Sequence, residues 1–526
     1  MRDAGVAYRF LDPVNFENLH NHGRTGRLFS RFDWILGSQD TLRFSLSGGR
    51  TERDVANLAS QQVRGQHQRA ATSDASASLA WAHLFSAGQS LDAALFFRTS
   101  RAELKPSEDL ADGFTAGGHL DFPYWAKQDR TLDNLGVQAA FTQRWGKENL
   151  TKVGIQRIAF PLRERFDFAL TDDALATGPG DLLFPYTPAG GGNIFQFDGR
   201  LRPKLTSAFV QNDLHLGALF LALGLRHDAY TVADVSDNQL QPRLGLSYRF
   251  DGTGTVLRAS YDRLMILREH ENLALSLSQQ AWDLGPLAGI PRQPLRPEHQ
   301  DSRSYGIEQQ LGKAGRVMLE YWEKQSRNAG DNAQFLNTGV LFPVGADRGI
   351  FRGMNLRLDL VPVNGWSGYL SLGRTRAIFQ APLVGGLQLD APEASPGERF
   401  LIDHDQKLSA QSGLIFEREG FTAQVIGRYD SGLVAKDPAG ARGNPDYAFG
   451  VDYVRLDSQG TWRIKPRTTW DLSLGQEWKL ATRRLALGLD LLNATDEKGL
   501  YNFLSTFGGT HVIPPRTLAI RVKWKF

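Results

Sequence analysis

The chain contains no cysteine among its 526 residues. Its absence excludes disulfides, thiolate metal sites and a cysteine nucleophile, but it does not fix the compartment. Neither sign of charge is in large excess, since the chain has 60 lysines and arginines and 57 aspartates and glutamates. The net charge of +3 gives no basic footprint for nucleic acid, and we expect no nucleic-acid partner.

Long hydrophobic runs are absent as well. No stretch approaches the roughly 18 consecutive apolar residues of a membrane-spanning helix, and the mean hydropathy is −0.34. The N-terminus, MRDAGVAYRF, lacks the apolar core and cleavage site of a secretory signal. These absences suit a cytoplasmic protein of three or four domains. The alternatives are one large β architecture and a chain whose true N-terminus is missing.

What the sequence does contain is a period of two. Leu518, Ile520, Val522, Trp524 and Phe526 alternate with polar or small residues. Strict alternation predicts a strand with one apolar and one polar face. Similar rows occur at 219–225, 244–250, 317–321, 356–360, 470–480 and 485–491. We find no long helical pattern, so the chain is predicted to be all-β.

Two architectures produce such alternation. In a soluble sandwich the apolar face points into a core, whereas in a transmembrane barrel it meets lipid and the polar face lines a lumen. The alternating segments run to about ten to fourteen residues, longer than the usual five or six of soluble strands. That length suits a tilted membrane crossing. Charged residues on the polar faces suit a wet lumen.

Loop lengths also alternate, which favours the barrel. Outer-membrane barrels have short periplasmic turns and long extracellular loops. We predict short turns at 37–40, 87–89, 146–149, 251–254, 312–315, 363–365, 417–420 and 481–483. Long connections are predicted at 54–74, 105–130, 171–204, 267–300, 329–348, 381–403, 433–467 and 495–514. The segment Gly450–Ile464 is expected to add β structure within a loop.

The pattern therefore predicts a transmembrane antiparallel β-barrel of about 20–22 strands. The count runs from a first strand at Asp3–Asp12 to a last strand at Arg516–Phe526. Tryptophans near segment ends are expected to form interfacial girdles. They are Trp34, Trp81, Trp145, Trp366, Trp470, Trp478 and Trp524.

Several segments, taken in order, resemble the barrel of TonB-dependent outer-membrane receptors. They are AFVQND at 208–213, LGLRHD at 223–228, PRLGLSY at 242–248, LRASY at 257–261, LRPE at 295–298, LLNATD at 491–496 and the stretch from Pro515 to Phe526. FENLHNHG at 16–23 and DHDQ at 403–406 resemble a subgroup with a carboxypeptidase-regulatory-like N-terminal domain. The resemblance covers most of the chain.

The family normally adds a signal peptide, a TonB box, a plug domain and a 22-stranded barrel. We find no such N-terminal parts here, and we interpret residues 1–526 as one barrel that is N-terminally incomplete, by truncation or a misassigned start. The resemblance implies outer-membrane lipid and the barrel-assembly machinery as partners. It implies TonB only if the full-length protein carries a plug and a TonB box.

Few residues are singled out for function. Val522, Trp524 and Phe526 resemble the signal that the barrel-assembly machinery recognises. Six basic residues are expected to face the lumen, namely Arg243, Arg249, Arg258, Arg521, Lys523 and Lys525. There they either contact a plug and a substrate path or only make the lumen wall hydrophilic. The ligand, a small molecule or polymer, is expected at aromatic residues of the long loops. These are Phe122, Tyr124, Trp125, Phe184, Tyr186, Phe195, Phe197, Trp282, Tyr447, Tyr501, Phe503 and Phe507.

No metal, cofactor or catalytic site is predicted. Asp403 and Asp405 would share one strand face and His404 the other, so they do not converge on one ion. His20 and His22 are interpreted as solvated. The sequence therefore favours a receptor that imports a siderophore, carbohydrate or peptide with TonB energy. The alternatives are a passive porin-like channel, a non-functional fragment and, less favoured, an outer-membrane enzyme or a soluble β protein.

Overall fold

The computed structural model describes residues 20, 22–110, 113–284, 292–336, 338–387, 394–444, 446–481, 483–505 and 509–525. Alternating segments form strands as the period predicts. The strands are β1 (Gly23–Ile35), β2 (Asp40–Asp54), β3 (Arg69–Ser86), β4 (Gln89–Lys105), β5 (Tyr124–Trp145), β6 (Asn149–Ala159), β7 (Leu162–Leu170), β8 (Phe195–Leu201), β9 (Lys204–Leu216), β10 (Leu219–Val232), β11 (Val235–Phe250), β12 (Thr255–Ile266), β13 (Glu298–Gln310), β14 (Gly315–Gln334), β15 (Leu341–Val363), β16 (Trp366–Val384), β17 (Arg399–Leu401), β18 (Gln406–Arg418), β19 (Phe421–Asp430), β20 (Val454–Leu456), β21 (Trp462–Ile464), β22 (Arg467–Leu480), β23 (Arg483–Leu492), β24 (Leu500–Ser505), β25 (Gly509–Val512) and β26 (Thr517–Lys525).

Twenty-two of these strands form one antiparallel sheet, which agrees with the predicted range. Three passes across the sheet consist of two strands each, namely β6 with β7, β8 with β9, and β17 with β18. The 22 strands therefore make 19 passes. The predicted first strand, Asp3–Asp12, lies outside the described residues.

Short turns follow one edge of the sheet. All eight predicted turns join consecutive strands there, and Gly217–Ala218 adds a ninth between β9 and β10. Glycine supports several of them, since Gly37, Gly146, Gly217 and Gly365 have positive φ, which an L side chain rarely adopts. The opposite edge, which we call the mouth, carries the long connections.

The structure corrects the prediction of one long connection at the mouth. Residues 329–348, predicted as a long polar loop, are mostly strand, because β14 continues to Gln334 and β15 starts at Leu341. β15 has 23 residues, well beyond the expected strand length. One connection at the mouth edge is short, since Ala233–Asp234 is a two-residue turn between β10 and β11, at a place for which the sequence analysis makes no loop prediction.

The two faces of the sheet differ as the alternation predicts. On the outer face apolar side chains are exposed, for example Leu223 at 42%, Leu244 at 45% and Ile520 at 72%. All seven predicted girdle tryptophans lie on this face and are between 38% and 61% exposed. On the inner face, buried apolar residues concentrate near the mouth, where the long connections pack.

Among the residues that the structure describes, the helices are short and lie in the connections between strands. They are α1 (Ala59–Val63), α2 (Leu273–Ser276), α3 (Gln279–Trp282), α4 (Ala448–Val451) and 3₁₀ turns at Asp173–Leu175, Phe184–Tyr186 and Pro438–Ala441. In the described part of the chain, no helix has the length and apolar character needed to cross a membrane. β20 and β21 pair with each other, which confirms the β structure expected within 450–464, and β24 pairs with β25.

Candidate functional site

Residues 267–284, which we call the cover segment, cross the mouth. Helix α2 of this segment contacts β7 and β8, in the sixth and seventh passes, and β15, in the thirteenth pass. One four-residue helix reaches strands that far apart in the sheet only if the sheet curls around it. The cover segment therefore lies across the inside of a curved sheet.

An aromatic cluster fixes the cover segment. Phe166 lies 5.0 Å from Phe335 between ring centroids, and Phe168 lies 4.8 Å from Phe195. All four rings are at most 1% exposed, and Leu275 of α2 is buried among them. Burial of such apolar area is the main favourable term available to a loop, so we infer that the cover is ordered mainly by this cluster.

Hydrogen bonds fix the orientation of helix α2 within this packing. The carboxylate of Glu164, on β7, accepts hydrogen bonds from the backbone N–H groups of Ala274 and Leu275 at 3.1 and 2.9 Å. The side chain of Gln128 donates to Asn272 at 2.7 Å, and Asn272 donates to the Leu341 carbonyl. The start of α2 is thereby held from both sides of the mouth.

Arg268, near the start of the cover segment, binds this segment to the long strands β14 and β15. Its guanidinium donates to the carbonyls of Arg296, Val344 and Asn328 at 2.7, 3.2 and 2.5 Å. The residue is only 5% exposed, and burial lowers its pKa to about 10. A cation bound by three carbonyls is well suited to pin a loop and poorly placed to meet a ligand.

His270 is a second buried group in the cover segment. Its ring stacks on Phe160 with centroids 4.3 Å apart, and its Nε2 lies 3.2 Å from the Tyr230 hydroxyl. Burial lowers the pKa of His270 to about 4. The imidazole is therefore neutral at physiological pH.

Below the mouth, the inner wall carries a polar cavity of about 360 Å³. Arg467 donates to Asp430 at 2.6 Å and to the Leu500 carbonyl at 2.6 Å, and its guanidinium lies 4.8 Å from the Tyr501 ring centroid. Other side chains of the lining are mostly amides, hydroxyls and charged groups, namely Asn355, Ser371, Gln406, Ser409, Gln411, Arg428 and Thr469. This lining can bind a hydrated, hydrogen-bonding ligand.

A second cavity, of about 420 Å³, lies farther around the inner wall. Small side chains form much of its lining, including Ala80, Ala82, Ala94 and Ala140. Arg43, Asp92, Lys152 and Arg226 add charge. The small residues leave room for a bound chain or solute to approach the strands closely.

Of the six arginines and lysines expected in the lumen, five lie on the inner face, namely Arg243, Arg249, Arg258, Arg521 and Lys523, and the side chain of Lys525 is outside the described part of the structure. Arg521 binds Asp490 across the β23–β26 pair, and Arg258 lies 3.0 Å from Glu308. Arg249 binds Asp251 at a short turn. Arg243 and Lys523 alternate with exposed Leu244 and Val522, which point the other way. None of the five lines either cavity.

The terminal-strand residues are placed as follows. Val522 and Trp524 lie on the outer face, 58% and 39% exposed, and Phe526 lies outside the described residues.

The histidines and aspartates of the segments at 16–23 and 403–406 do not converge on one site. His404 Nδ1 lies 2.8 Å from Asp403, while Asp405 turns to the fully buried Arg463. His20 approaches Asp54 at 3.8 Å. In the residues described, no group of three or more His, Asp or Glu side chains is arranged to hold a metal ion.

The loop aromatics divide between packing and exposure. Phe195, Trp282 and Phe503 are buried in the loop packing, as are Tyr124 and Trp125. Tyr501 is 47% exposed and lines the polar cavity, while Phe507 lies outside the described residues. Sequence analysis missed Arg428 and Arg467, although a residue-by-residue extension of the strand alternation would have assigned both to the inner face.

The architecture defines a class of protein, the outer-membrane type of β-barrel with short turns at one edge and long connections at the other. Residues 8–494 match the family model described as TonB dependent receptor-like, beta-barrel, and the chain belongs to that family. No relative was found among curated proteins.

Solved structures show the same fold. The copper transporter OprC shares 13% identity, with 98% of this chain and 73% of that chain covered and a TM-score of 0.66. The outer membrane transporter YddB from Escherichia coli shares 13%, with 95% and 68% covered and a TM-score of 0.61. The ferric yersiniabactin uptake receptor FyuA from Yersinia pestis shares 11%, with 99% and 73% covered and a TM-score of 0.65.

Proposed function

We propose that this chain is the barrel of a receptor that takes up a scarce nutrient across the outer membrane with energy from TonB. The observation that carries the proposal is the family match over residues 8–494. The covered mouth and the polar cavity below it support the proposal. A transporter needs an entrance that can be closed and a hydrophilic path for the ligand behind it. The cover segment can close the mouth, and the polar cavity on the inner face can form part of such a path.

The cavity suggests the character of the ligand. Arg428 and Arg467 provide cationic groups, each paired with an aspartate, and Tyr501 offers a ring beside Arg467. Paired charges with amides suit a polar ligand that brings several oxygen atoms. Ferric chelates, oligosaccharides and peptides all meet this description, and the metals in the names of the structural neighbours place metal chelates first for testing.

The proposal assigns partners that follow from the family. Outer-membrane lipid contacts the exposed apolar face, and the barrel-assembly machinery inserts the chain through its last strand. TonB is a partner if the full-length protein supplies a plug and a TonB box. No enzymatic role is proposed, because the family consists of receptors and transporters.

Uptake in a gene-deletion strain tests the proposal. The strain should fail to grow on one ligand class of a panel of ferric chelates, oligosaccharides and peptides supplied as the sole source. The full-length gene should restore growth, and depletion of TonB should remove it again. Uptake that persists without TonB would instead establish a passive channel. Normal growth of the deletion strain on every ligand class would contradict the proposal.

A further inference from the structure

The cavity of about 420 Å³ lies on the part of the inner wall nearer the short turns. Residues of β2–β6, β9 and β10 line it. Asp92 and Lys152 belong to this lining, and each is three residues from the start of a strand that follows a short turn. A solute that enters at the mouth therefore reaches this cavity after it has passed the polar cavity.

Two of the four charged side chains in the lining have partners within the protein. Arg43 donates to Asp33 at 2.7 Å, and Arg226 donates to Asp228 at 2.8 Å. The other two are Asp92 and Lys152. Among the residues that the structure describes, no ion pair or side-chain hydrogen bond engages either of them. The cavity therefore offers one free carboxylate and one free ammonium group.

The strand register sets the separation of these two charges. Asp92 lies opposite Ala140 on β5, and Ala140 lies opposite Gly154 on β6. Lys152 is two residues from Gly154 on the same face of β6. Two strand spacings of about 4.8 Å, combined with two residues of about 3.3 Å each, place the Cα atoms of Asp92 and Lys152 about 12 Å apart.

The wall between the two charges is low and bordered by amides. Ala94, Ala140 and Gly154 project little or nothing from the strands there. Gln138 and Gln156 lie beside them and are joined by a hydrogen bond of 3.3 Å. A side-chain amide has two donors and an acceptor, so one internal bond leaves further groups free for a ligand. A chain with its own amide groups can thus lie against this wall and bind to it.

This arrangement matches the chemistry of a short peptide. A free peptide carries an ammonium group at one end and a carboxylate at the other, with amides between them. An extended peptide of three residues is about 10 Å long, which suits the separation of Asp92 and Lys152. A neutral oligosaccharide has no charge to place at either end of the cavity, and a single anion would engage Lys152 alone.

We propose that this part of the wall binds the two ends of a free peptide of about three residues. We call it the terminus site and define it by Asp92, Lys152 and the small residues between them. Asp92 binds the peptide ammonium group and Lys152 binds the carboxylate. The inference rests on the proposed uptake function, and it selects peptides from the ligand classes considered there.

Calorimetric titration of the detergent-solubilised full chain tests the inference, with trialanine as the probe. An exposed ion pair contributes up to about 1 kcal/mol, which is a factor of about five in affinity. Acetylation of the amino end, or amidation of the carboxyl end, should therefore weaken binding by about threefold to fivefold. Dialanine is too short to reach both charges and should bind less tightly than trialanine by a similar factor.

Single substitutions assign each end of the peptide. Asp92→Asn should remove the preference for a free amino end and retain the preference for a free carboxyl end, and Lys152→Gln should do the reverse. The matched control is Asp262→Asn with Lys523→Gln, which removes the same kinds of charge elsewhere on the inner wall. This control should retain both preferences.

Three outcomes would overturn the inference. The first is equal affinity of the unaltered chain for trialanine and for its doubly capped form, because an internal segment of a longer chain would then fit equally well. The second is loss of both preferences in each single variant, and the third is their loss in the control. Heat-modifiable migration in gels shows whether each variant is a folded barrel.

The test also separates this inference from the proposed function. TonB-dependent uptake by a chain that does not distinguish free from capped peptides would refute the terminus site alone. Selective binding of free peptides by a chain whose deletion leaves growth on every ligand class unchanged would contradict the uptake proposal instead.

Discussion

Ser60 and Asp446 are hydrogen-bonded although 386 residues separate them. The Ser60 backbone N–H and hydroxyl donate to the two carboxylate oxygens of Asp446 at 2.9 and 2.5 Å. Ser60 belongs to α1, between β2 and β3, and Asp446 belongs to the connection between β19 and β22. The contact joins the second and third passes to the sixteenth and seventeenth, so the two ends of the sheet come together at the mouth.

Crosslinking tests this closure. Because the chain has no cysteine, the double variant Ser60→Cys with Asp446→Cys has an unreactive background. A short bis-maleimide, which adds to two thiols, should join the two positions and change migration in denaturing gels, whereas Asp446→Cys with Gly180→Cys should stay unjoined. Equal crosslinking of both pairs, or of neither, would contradict the contact.

Glu164 is expected to order the cover segment. Glu164→Ala leaves the N–H groups of Ala274 and Leu275 without their acceptors, and each buried unsatisfied group costs about 1–3 kcal/mol. Hydrogen exchange in residues 273–284 should become faster by an order of magnitude or more. Glu164→Gln keeps one acceptor oxygen and should show a smaller change. Unaltered exchange in the alanine variant would show that the aromatic cluster holds the cover segment alone.

The sequence predicts the fold better than it predicts the site. Alternation assigns Leu244 and Trp524 to the outer face, and short polar turns mark one edge, because both signals are local and periodic. The contact between Glu164 and α2 leaves no such signal, since it joins two loop-side elements more than a hundred residues apart. β14 and β15 extend further than predicted because their ends pair with each other and bury apolar side chains, such as Phe342 and Val344, in the cluster that contains Leu275 of the cover segment.

Acid should loosen the cover segment through His270. The folded pKa, about 4, lies below the ordinary 6.5, so the unfolded loop binds a proton more readily as pH falls. The contribution of His270 is intact above pH 6.5 and is lost between pH 6.5 and 4, by about 2 kcal/mol at pH 5. Relative to a His270→Gln variant, hydrogen exchange of residues 267–284 should accelerate between pH 7 and 5 after correction for its intrinsic pH dependence.

His270→Gln isolates this effect from neighbouring acids. Burial raises the pKa of Glu271, so that carboxyl favours the folded loop at low pH and opposes the histidine. The glutamine variant retains Glu271 but has no ionisable ring, and its exchange should change less between pH 7 and 5. An identical change in both proteins would assign the pH response to groups other than His270.

Conductance across a planar bilayer should depend on the cover segment. Leu275 and Phe335 lie in a packed cluster that crosses the mouth, so the unaltered chain should conduct weakly. Replacing residues 269–284 with a short glycine-serine linker removes α2 and α3 but leaves the strands paired, and conductance should rise several-fold. Leu275→Ala should give an intermediate value, because it weakens the packing without removing the segment. A large, steady conductance in the unaltered chain would favour the passive channel, since a cover that is open at rest could not act as a closed entrance.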